Sequence, residues 1–271
     1  MANWSNPPLV NLIHDDCIEA MKRMDEGSFD LTVTSPPYDN LRTYEGSLVW
    51  NEDVWKGVLS QLYRVTKQGG VVVWVVGDAT IKGSETGTSF KQALYAMDCG
   101  FRLHDTMIYE KSGFPFPTHT RYYPVFEYMF VFSKGKPLKY SPIKDRKNIY
   151  AGGKVARNHG NRRADGLVRE NSANKLDKNR VIKEFGVRTN IWKVTSSASR
   201  GDKSALKHPA TFPEQLAHDH IVSWSNEGDT VFDPFLGSGT TGVAAKKLNR
   251  SFIGIEKVDK YYDLAKERIG S

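Results

Sequence analysis

The sequence has little cysteine, no long apolar run and no segment typical of export. Its two cysteines, Cys17 and Cys99, give neither a disulfide framework nor a metal-binding spacing. No apolar run approaches the roughly 20 residues that a membrane-spanning helix needs. The first ten residues, MANWSNPPLV, lack the basic and apolar regions of a secretory signal. These absences predict a cytoplasmic protein with reduced thiols, no membrane association and no bound metal.

Acidic residues are scarce in one part of the chain. The 271 residues carry 38 Lys and Arg against 31 Asp and Glu, a net charge of +7. Residues 134–207 hold 20 of the basic and 6 of the acidic residues, a net of +14, so the remainder has a net of −7 (18 − 25). Such a segment is either a solvated loop or a surface for a polyanion, because Lys and Arg neutralise phosphates. Nucleic acid is therefore a candidate partner.

Outside the basic segment, strand and helix patterns alternate along the chain. The run VVVWVVGD at residues 71–78 is apolar throughout, as in a parallel strand that is covered on both faces. Two strand patterns at 103–111 and 123–134 follow one another with no helix between them, which favours an antiparallel edge. The prediction is an α/β fold with an open, mostly parallel sheet. From residue 135 to about 207 the pattern is lost, which predicts a separate recognition module or a loop ordered by its partner.

The stretch TSPPY at residues 34–38 follows the strand pattern FDLTV. Because neither Pro36 nor Pro37 has an N–H, the hydrogen-bond ladder of the strand cannot continue through them. The sequence thus predicts a stiff turn that displays Ser35 and Tyr38 at the carboxyl end of the strand. On its own, the stretch is explained as well by a strand end with an aromatic lid over the core.

A glycine-rich turn, DPFLGSGTT at residues 233–241, follows another short strand and opens a helix. Gly237 and Gly239 allow the backbone to approach a ligand closely. Glu256 ends the next strand 23 residues after Asp233, near the spacing of about 20 expected for an acid that binds ribose hydroxyls. The turn lacks the Gly-Lys-Ser/Thr ending of a triphosphate-binding loop, so it predicts a nucleoside without a long phosphate chain.

Together, TSPPY and DPFLGSGTT resemble the catalytic and cofactor motifs of the DNA amino-methyltransferases, which use S-adenosyl-L-methionine. The glycine turn lies C-terminal to SPPY, with the basic segment between them, and this order resembles the permuted β group of the family. The stretch HPATFPEQL at 208–216 resembles the motif that helps to enclose the methionine end of the cofactor. The resemblance implies a Rossmann-like methyltransferase fold with a catalytic half at 1–133, a basic target-recognition insertion at 134–207 and a cofactor-binding half at 208–271.

The chemistry of such an enzyme explains the proline turn. An exocyclic amino group is a poor nucleophile because its lone pair is delocalised into the base. The Ser35 hydroxyl and the Pro36 carbonyl, held still by Pro37, can accept the two amino hydrogens and free that pair. Tyr38 is placed to stack on a base flipped out of the duplex. These four residues are the predicted catalytic set, which requires no metal and no strong general base.

The resemblance also implies a cofactor-binding set. Its members would contact the methionine portion, the ribose (Glu256) and the adenine amino group (Asp16): they are Asp16, Phe212, Asp233, Phe235, Gly237, Gly239, Thr240 and Glu256. Three of them have plain structural alternatives. Asp16 can cap the helix that follows the first strand, Thr240 can, with its neighbour Thr241, cap the helix after the glycine turn, and Phe212 can pack in the core.

Base readout is predicted in the basic segment, since Arg and Asn make bidentate contacts with guanine and adenine edges. The candidate DNA contacts are Arg42, Arg157, Asn158, Arg162 and Arg163, and the predicted substrate is double-stranded DNA in a prokaryotic or phage system, near the nucleoid. By the same resemblance, a homodimer and a cognate restriction endonuclease are candidate partners.

The identity of the acceptor stays open at this point. Family members modify adenine N6 or cytosine N4; Ser35 resembles the cytosine enzymes somewhat more, yet serine does not exclude adenine. A related Asn-Pro-Pro-Tyr loop acts on RNA or on protein glutamine, and a non-catalytic DNA-binding protein could retain the same fold. Ser35 and the large basic insertion argue against the RNA and glutamine substrates, and the intact motifs argue against the loss of catalysis.

Overall fold

The chain divides into two compact units. The computed structural model describes residues 8–37, 50–113, 120–153, 181–195 and 213–270. The larger unit comprises residues 1–141 and 190–271, and the smaller one comprises 142–189. No helix within the described ranges is long and apolar enough to cross a membrane.

The larger unit is built on an eight-stranded sheet. Its strands are β1 (Val10–His14), β2 (Phe29–Thr34), β3 (Thr66–Val76), β6 (Arg102–Lys111), β7 (Phe126–Ser133), β10 (Ile191–Val194), β11 (Thr230–Asp233) and β12 (Ser251–Glu256). Their spatial order is β1-β12-β11-β2-β3-β7-β6-β10. Strand β7 runs antiparallel to β3 and β6, and all other neighbouring pairs are parallel. A separate hairpin joins β4 (Thr80–Ile81) and β5 (Ser84–Glu85).

Six helices accompany these strands in the described part of the larger unit. They are α1 (Cys17–Lys22), α2 (Glu52–Val65), α3 (Thr88–Asp98), α4 (Glu214–Trp224), α5 (Thr240–Lys247) and α6 (Asp259–Ile269). Alternate residues of β3, namely Val72, Trp74 and Val76, pack in one core with α1, α2 and α3. The intervening valines of β3 are equally buried on the opposite face. This double cover explains the apolar run and confirms the predicted α/β fold with its mostly parallel sheet.

Strand β10 lies in the segment for which the sequence shows no regular pattern. Its four residues alternate between exposed (Ile191, Lys193) and buried (Trp192, Val194), and it pairs in parallel with β6 at the end of the sheet. The segment is therefore not irregular throughout. Four residues are too few for their alternation to stand out from the charged sequence around them.

The smaller unit contains a two-stranded antiparallel ribbon of β8 (Arg146–Lys147) and β9 (Phe185–Gly186). Arg188, which follows β9, is bonded to the segment that precedes β8. The Nε of Arg188 donates to both carboxylate oxygens of Asp145 at 3.0 and 3.1 Å, and its backbone N–H donates to the carbonyl of Ile143. The guanidinium hydrogen bond holds the pKa of the Asp145 carboxyl below its usual range. Some of the basic residues of this unit thus have structural partners.

Candidate active site

Predicted site residues from both ends of the chain lie at one edge of the sheet. Strands β1, β12, β11 and β2 are adjacent and parallel, so their carboxyl ends share an edge. Asp16 follows β1, Glu256 ends β12, Asp233 ends β11 and Ser35 follows β2. Ligands of open α/β sheets bind outside the carboxyl ends of the strands. The topology therefore brings the two sequence motifs together.

Strand β2 ends at Thr34, immediately before the predicted turn. Ser35 and Pro37 are half-buried, and Pro36 is buried. The predicted residues Tyr38, Arg42, Arg157, Asn158, Arg162, Arg163 and Phe212 lie outside the described residues.

Asp233 points into the protein and is only 2% exposed. One carboxylate oxygen accepts hydrogen bonds from the Thr34 hydroxyl at 2.6 Å and from the Phe235 backbone N–H at 3.0 Å. Burial raises the pKa of Asp233 to about 6, although these two bonds act in the opposite direction. The carboxyl thus organises the start of the glycine turn from inside.

The raised pKa of Asp233 predicts a pH-dependent cost to stability. Between its unfolded pKa near 4 and its folded value near 6, the native carboxyl holds more proton, so wild-type stability declines as pH rises through this window. Asp233→Asn keeps an acceptor oxygen but carries no charge. The free energy of unfolding of Asp233→Asn minus that of wild type should therefore be about 1.4 kcal/mol larger at pH 8 than at pH 5.

Urea unfolding of both proteins at the two pH values measures this difference. Asp25→Asn, at an exposed position, is the matched control. If the difference in free energy of unfolding between Asp233→Asn and wild type were the same at both pH values, ionisation of the buried carboxyl would not destabilise the protein.

The two glycines of the turn have left-handed backbone conformations, with φ of +51° at Gly237 and +80° at Gly239. A side chain is strained in this region. At Gly239 a Cβ would also lie 2.9 Å from the Ile269 side chain and 3.2 Å from the Cα of Ala265, both in α6. Packing against α6 and backbone conformation therefore both require glycine there.

Glu256 is fixed by three backbone donors. One carboxylate oxygen accepts from Gly237 N–H at 2.8 Å, and the other accepts from Lys257 and Val258 N–H at 3.0 and 2.9 Å. Burial raises the pKa of Glu256, and these bonds oppose that rise. A carboxylate offers roughly four acceptor positions, so a further donor such as a ribose hydroxyl can be accommodated. The free acceptor position of Glu256 at this edge thus fits a nucleoside cofactor.

Asp16 caps α1. Its Oδ1 accepts from the N–H groups of Ile18 and Glu19, and its Oδ2 lies 3.2 Å from the ammonium of Lys257. The capping alternative for Asp16 is confirmed. The ion pair also joins α1 to the residue that follows Glu256.

The threonines that open α5 do not cap it. Gly239 is the N-cap, and a glycine at that position has no side chain to bond the first turn. The Thr240 hydroxyl oxygen lies 3.4 Å from the Ser238 hydroxyl oxygen and 3.5 Å from a guanidinium nitrogen of Arg268. Thr241 instead donates to the carbonyl of Val33 at 3.1 Å. The capping alternative for these two threonines is wrong.

Sequence reasoning missed several residues that build this edge. Trp50 and Trp74 make edge-to-face contacts with Phe235, itself one of the predicted cofactor-binding residues, with ring centroids 5.5 and 6.2 Å apart. Arg268 of α6 donates to the Ser238 hydroxyl of the glycine turn at 2.9 Å. Of the missed residues, only Thr34 lies within a sequence motif, as the first residue of TSPPY. The others act on partners that are distant in sequence.

The parallel sheet, the glycine turn and the acid at the end of the next strand are typical of Rossmann-like folds that bind a nucleoside-containing cofactor at this edge. A family model described as DNA methylase matches residues 29–267. The chain therefore belongs to the N6/N4 DNA methylase family.

Relatives of known identity agree with this assignment. The orphan methyltransferase M.BamHII of Bacillus amyloliquefaciens is 55% identical over 245 residues, which cover 89% of each chain. The type II methyltransferase M.ScaI of Streptomyces caespitosus is 29% identical over 96% of this chain and 81% of its own.

Two solved structures share the fold. PvuII DNA methyltransferase (cytosine-N4-specific) aligns with a TM-score of 0.68 and 21% identity, over 98% of this chain and 90% of its own. A complex of M1.HpyAVI with S-adenosyl-L-methionine aligns with a TM-score of 0.62 and 22% identity, over 97% and 100% of the two chains. The predictions of family, fold and cofactor are confirmed: the protein is an S-adenosyl-L-methionine-dependent DNA methyltransferase acting on adenine N6 or cytosine N4.

Proposed function

We propose that the protein methylates N4 of cytosine in double-stranded DNA. The observation that carries the choice of base is Ser35 at the first position of the proline turn, which resembles the cytosine enzymes. The match to a structure described as cytosine-N4-specific supports the same choice. Adenine N6 is the second candidate.

In the proposed mechanism, the turn after β2 activates the amino group. The Ser35 hydroxyl oxygen and the Pro36 carbonyl each accept one amino hydrogen and draw the nitrogen toward a tetrahedral geometry. When bound, S-adenosyl-L-methionine supplies a sulfonium methyl group that an amino nitrogen can attack in line. Pro36 and Pro37 hold both acceptors in place, so little reorganisation is needed. Tyr38 stacks on the flipped base.

The cofactor is proposed to lie across the carboxyl ends of β1, β12 and β11. Glu256 accepts a ribose hydroxyl, and its three backbone donors fix the direction of that contact. Asp16 uses its remaining acceptor capacity for the adenine amino group. The methionine portion contacts the glycine turn and the segment before α4, through Phe212, Asp233, Phe235, Gly237, Gly239 and Thr240.

The DNA is proposed to contact the basic insertion at 134–207, between the catalytic half at 1–133 and the cofactor-binding half at 208–271. The net charge of +14 supports phosphate binding there. The proposed DNA contacts are Arg42, Arg157, Asn158, Arg162 and Arg163. We place the protein in the cytoplasm at the nucleoid. Because the relative M.BamHII is described as an orphan methyltransferase, we propose that this protein also acts without a cognate endonuclease. A homodimer remains a prediction.

One assay tests the base. The purified protein is incubated with unmethylated bacterial DNA and S-adenosyl-L-methionine carrying an isotopically labelled methyl group, and the DNA is digested to nucleosides for mass spectrometry. Labelled N4-methylcytosine is the expected product. Labelled N6-methyladenine would replace the proposal with the second candidate, and no labelled nucleoside from a protein that binds the cofactor would contradict both.

A further inference from the structure

A buried set of hydrogen bonds joins the two motif loops. The Thr34 hydroxyl donates to Asp233 at 2.6 Å, across 199 positions of sequence. Thr241, at the far end of the glycine turn, donates to the carbonyl of Val33 at 3.1 Å. Both threonines are fully buried. The last two residues of β2 are thus bonded to the beginning and to the end of the glycine turn.

These bonds act next to Ser35. Thr34 is bonded covalently to Ser35, so the direction of the Thr34 peptide sets where the serine oxygen lies. Asp233 also accepts the N–H of Phe235, which fixes the first bend of the glycine turn. A single carboxylate oxygen therefore holds the strand before the serine and the turn that follows β11. A shift of the turn would therefore reach Ser35 through this hydrogen bond and through the bond from Thr241 to Val33.

We propose that Thr34 is a positioning residue for methyl transfer, which sets the Ser35 acceptor relative to the cofactor turn through its bond to Asp233. Thr241 supports the same alignment from the other end of the turn. The proposal rests on the proposed roles of Ser35 and of the glycine turn. It differs from them because both threonines are fully buried and neither belongs to the proposed catalytic set or to the proposed cofactor contacts.

The test uses Thr34→Val, which preserves the shape of the side chain and removes the donor. The control is Thr32→Val. Thr32 lies two residues earlier on the same face of β2, it is equally buried, and its hydroxyl has no hydrogen-bond partner among the described residues. For each variant, kcat is measured with DNA and the Kd for S-adenosyl-L-methionine is measured without DNA.

Thr34→Val should lower kcat on the order of tenfold or more, because small misplacements of reacting groups have large effects on rate. The Kd for S-adenosyl-L-methionine should change less than about threefold, because Thr34 is not one of the proposed cofactor contacts and its substitution leaves those contacts largely intact. Thr34→Ser, which restores the donor, should recover most of the rate, and Thr32→Val should match wild type. Combined with Asp233→Ala, which removes the acceptor of the Thr34 hydroxyl, Thr34→Val should cost less than the product of the two single effects.

Two results would overturn the inference. One is a kcat of Thr34→Val that matches wild type while Ser35→Ala is inactive. The other is a parallel loss of melting temperature, cofactor affinity and kcat, which would mean that the bond only holds the fold together. Failure of the proposed role of Ser35 has a different signature, since Ser35→Ala would then keep the wild-type rate. Failure of the proposed function is seen in wild type, as labelled N6-methyladenine or as no labelled nucleoside.

Discussion

Ser35→Ala is expected to lower kcat for DNA methylation by about 100-fold to 1,000-fold, the effect of removing one preorganised hydrogen-bonding group that acts in a transition state. The alanine lacks the oxygen that accepts an amino hydrogen, while the Pro36 carbonyl remains. Binding of S-adenosyl-L-methionine should be retained, because the proposed cofactor contacts lie at the carboxyl ends of β1, β12 and β11, in the glycine turn and before α4, and none of them is on the proline turn. Rates are measured by single turnover, so that product release does not mask the chemical step.

The matched control for this variant is Ser28→Ala. Ser28 precedes β2 at its opposite end, and its hydroxyl donates to the backbone carbonyl of Asp25. Its loss removes one serine hydrogen bond at a distance from the proposed site, so the rate should stay near that of wild type. If Ser35→Ala retained the wild-type rate, Pro36 alone would have to account for activation of the amino group and the mechanism would be wrong.

The local parts of the site could be predicted from the sequence. Two prolines end a strand for a reason that involves only their own backbone, and β2 does end at Thr34. The glycine turn is also local, since Gly237 and Gly239 take left-handed conformations within a few residues of β11. Because both motifs follow parallel strands, their meeting at one edge follows from the topology once the fold class is known.

The contacts between distant segments could not be predicted in this way. Asp233 was expected at the cofactor, yet its described hydrogen bonds are to protein groups, and its Thr34 partner lies 199 positions away. Nothing in the local sequence states which way a carboxylate at a strand end will turn. For Asp16, the sequence was compatible with both a helix cap and a cofactor contact. The structure identifies the cap through the hydrogen bonds that Asp16 accepts from the N–H groups of Ile18 and Glu19.

Glu256→Ala should weaken binding of S-adenosyl-L-methionine by about 10-fold to 100-fold, as expected for losing a hydrogen bond to a buried charged group. The change removes the proposed ribose acceptor and also leaves the N–H groups of Gly237, Lys257 and Val258 without their carboxylate. Titration calorimetry measures the Kd, and thermal unfolding checks that the variant is folded. Glu267→Ala, on the exposed face of α6, is the matched control.

A cofactor analogue that lacks the ribose hydroxyls separates the two causes of weaker binding. If Glu256 accepts a hydroxyl, wild type should bind the analogue more weakly than S-adenosyl-L-methionine, while Glu256→Ala should bind the two with nearly equal Kd. If the variant still prefers the natural cofactor as strongly as wild type does, Glu256 only supports the glycine turn and the ribose contact lies elsewhere. The same pair of ligands therefore distinguishes a binding residue from one that holds the loop, which the affinity of one ligand alone does not.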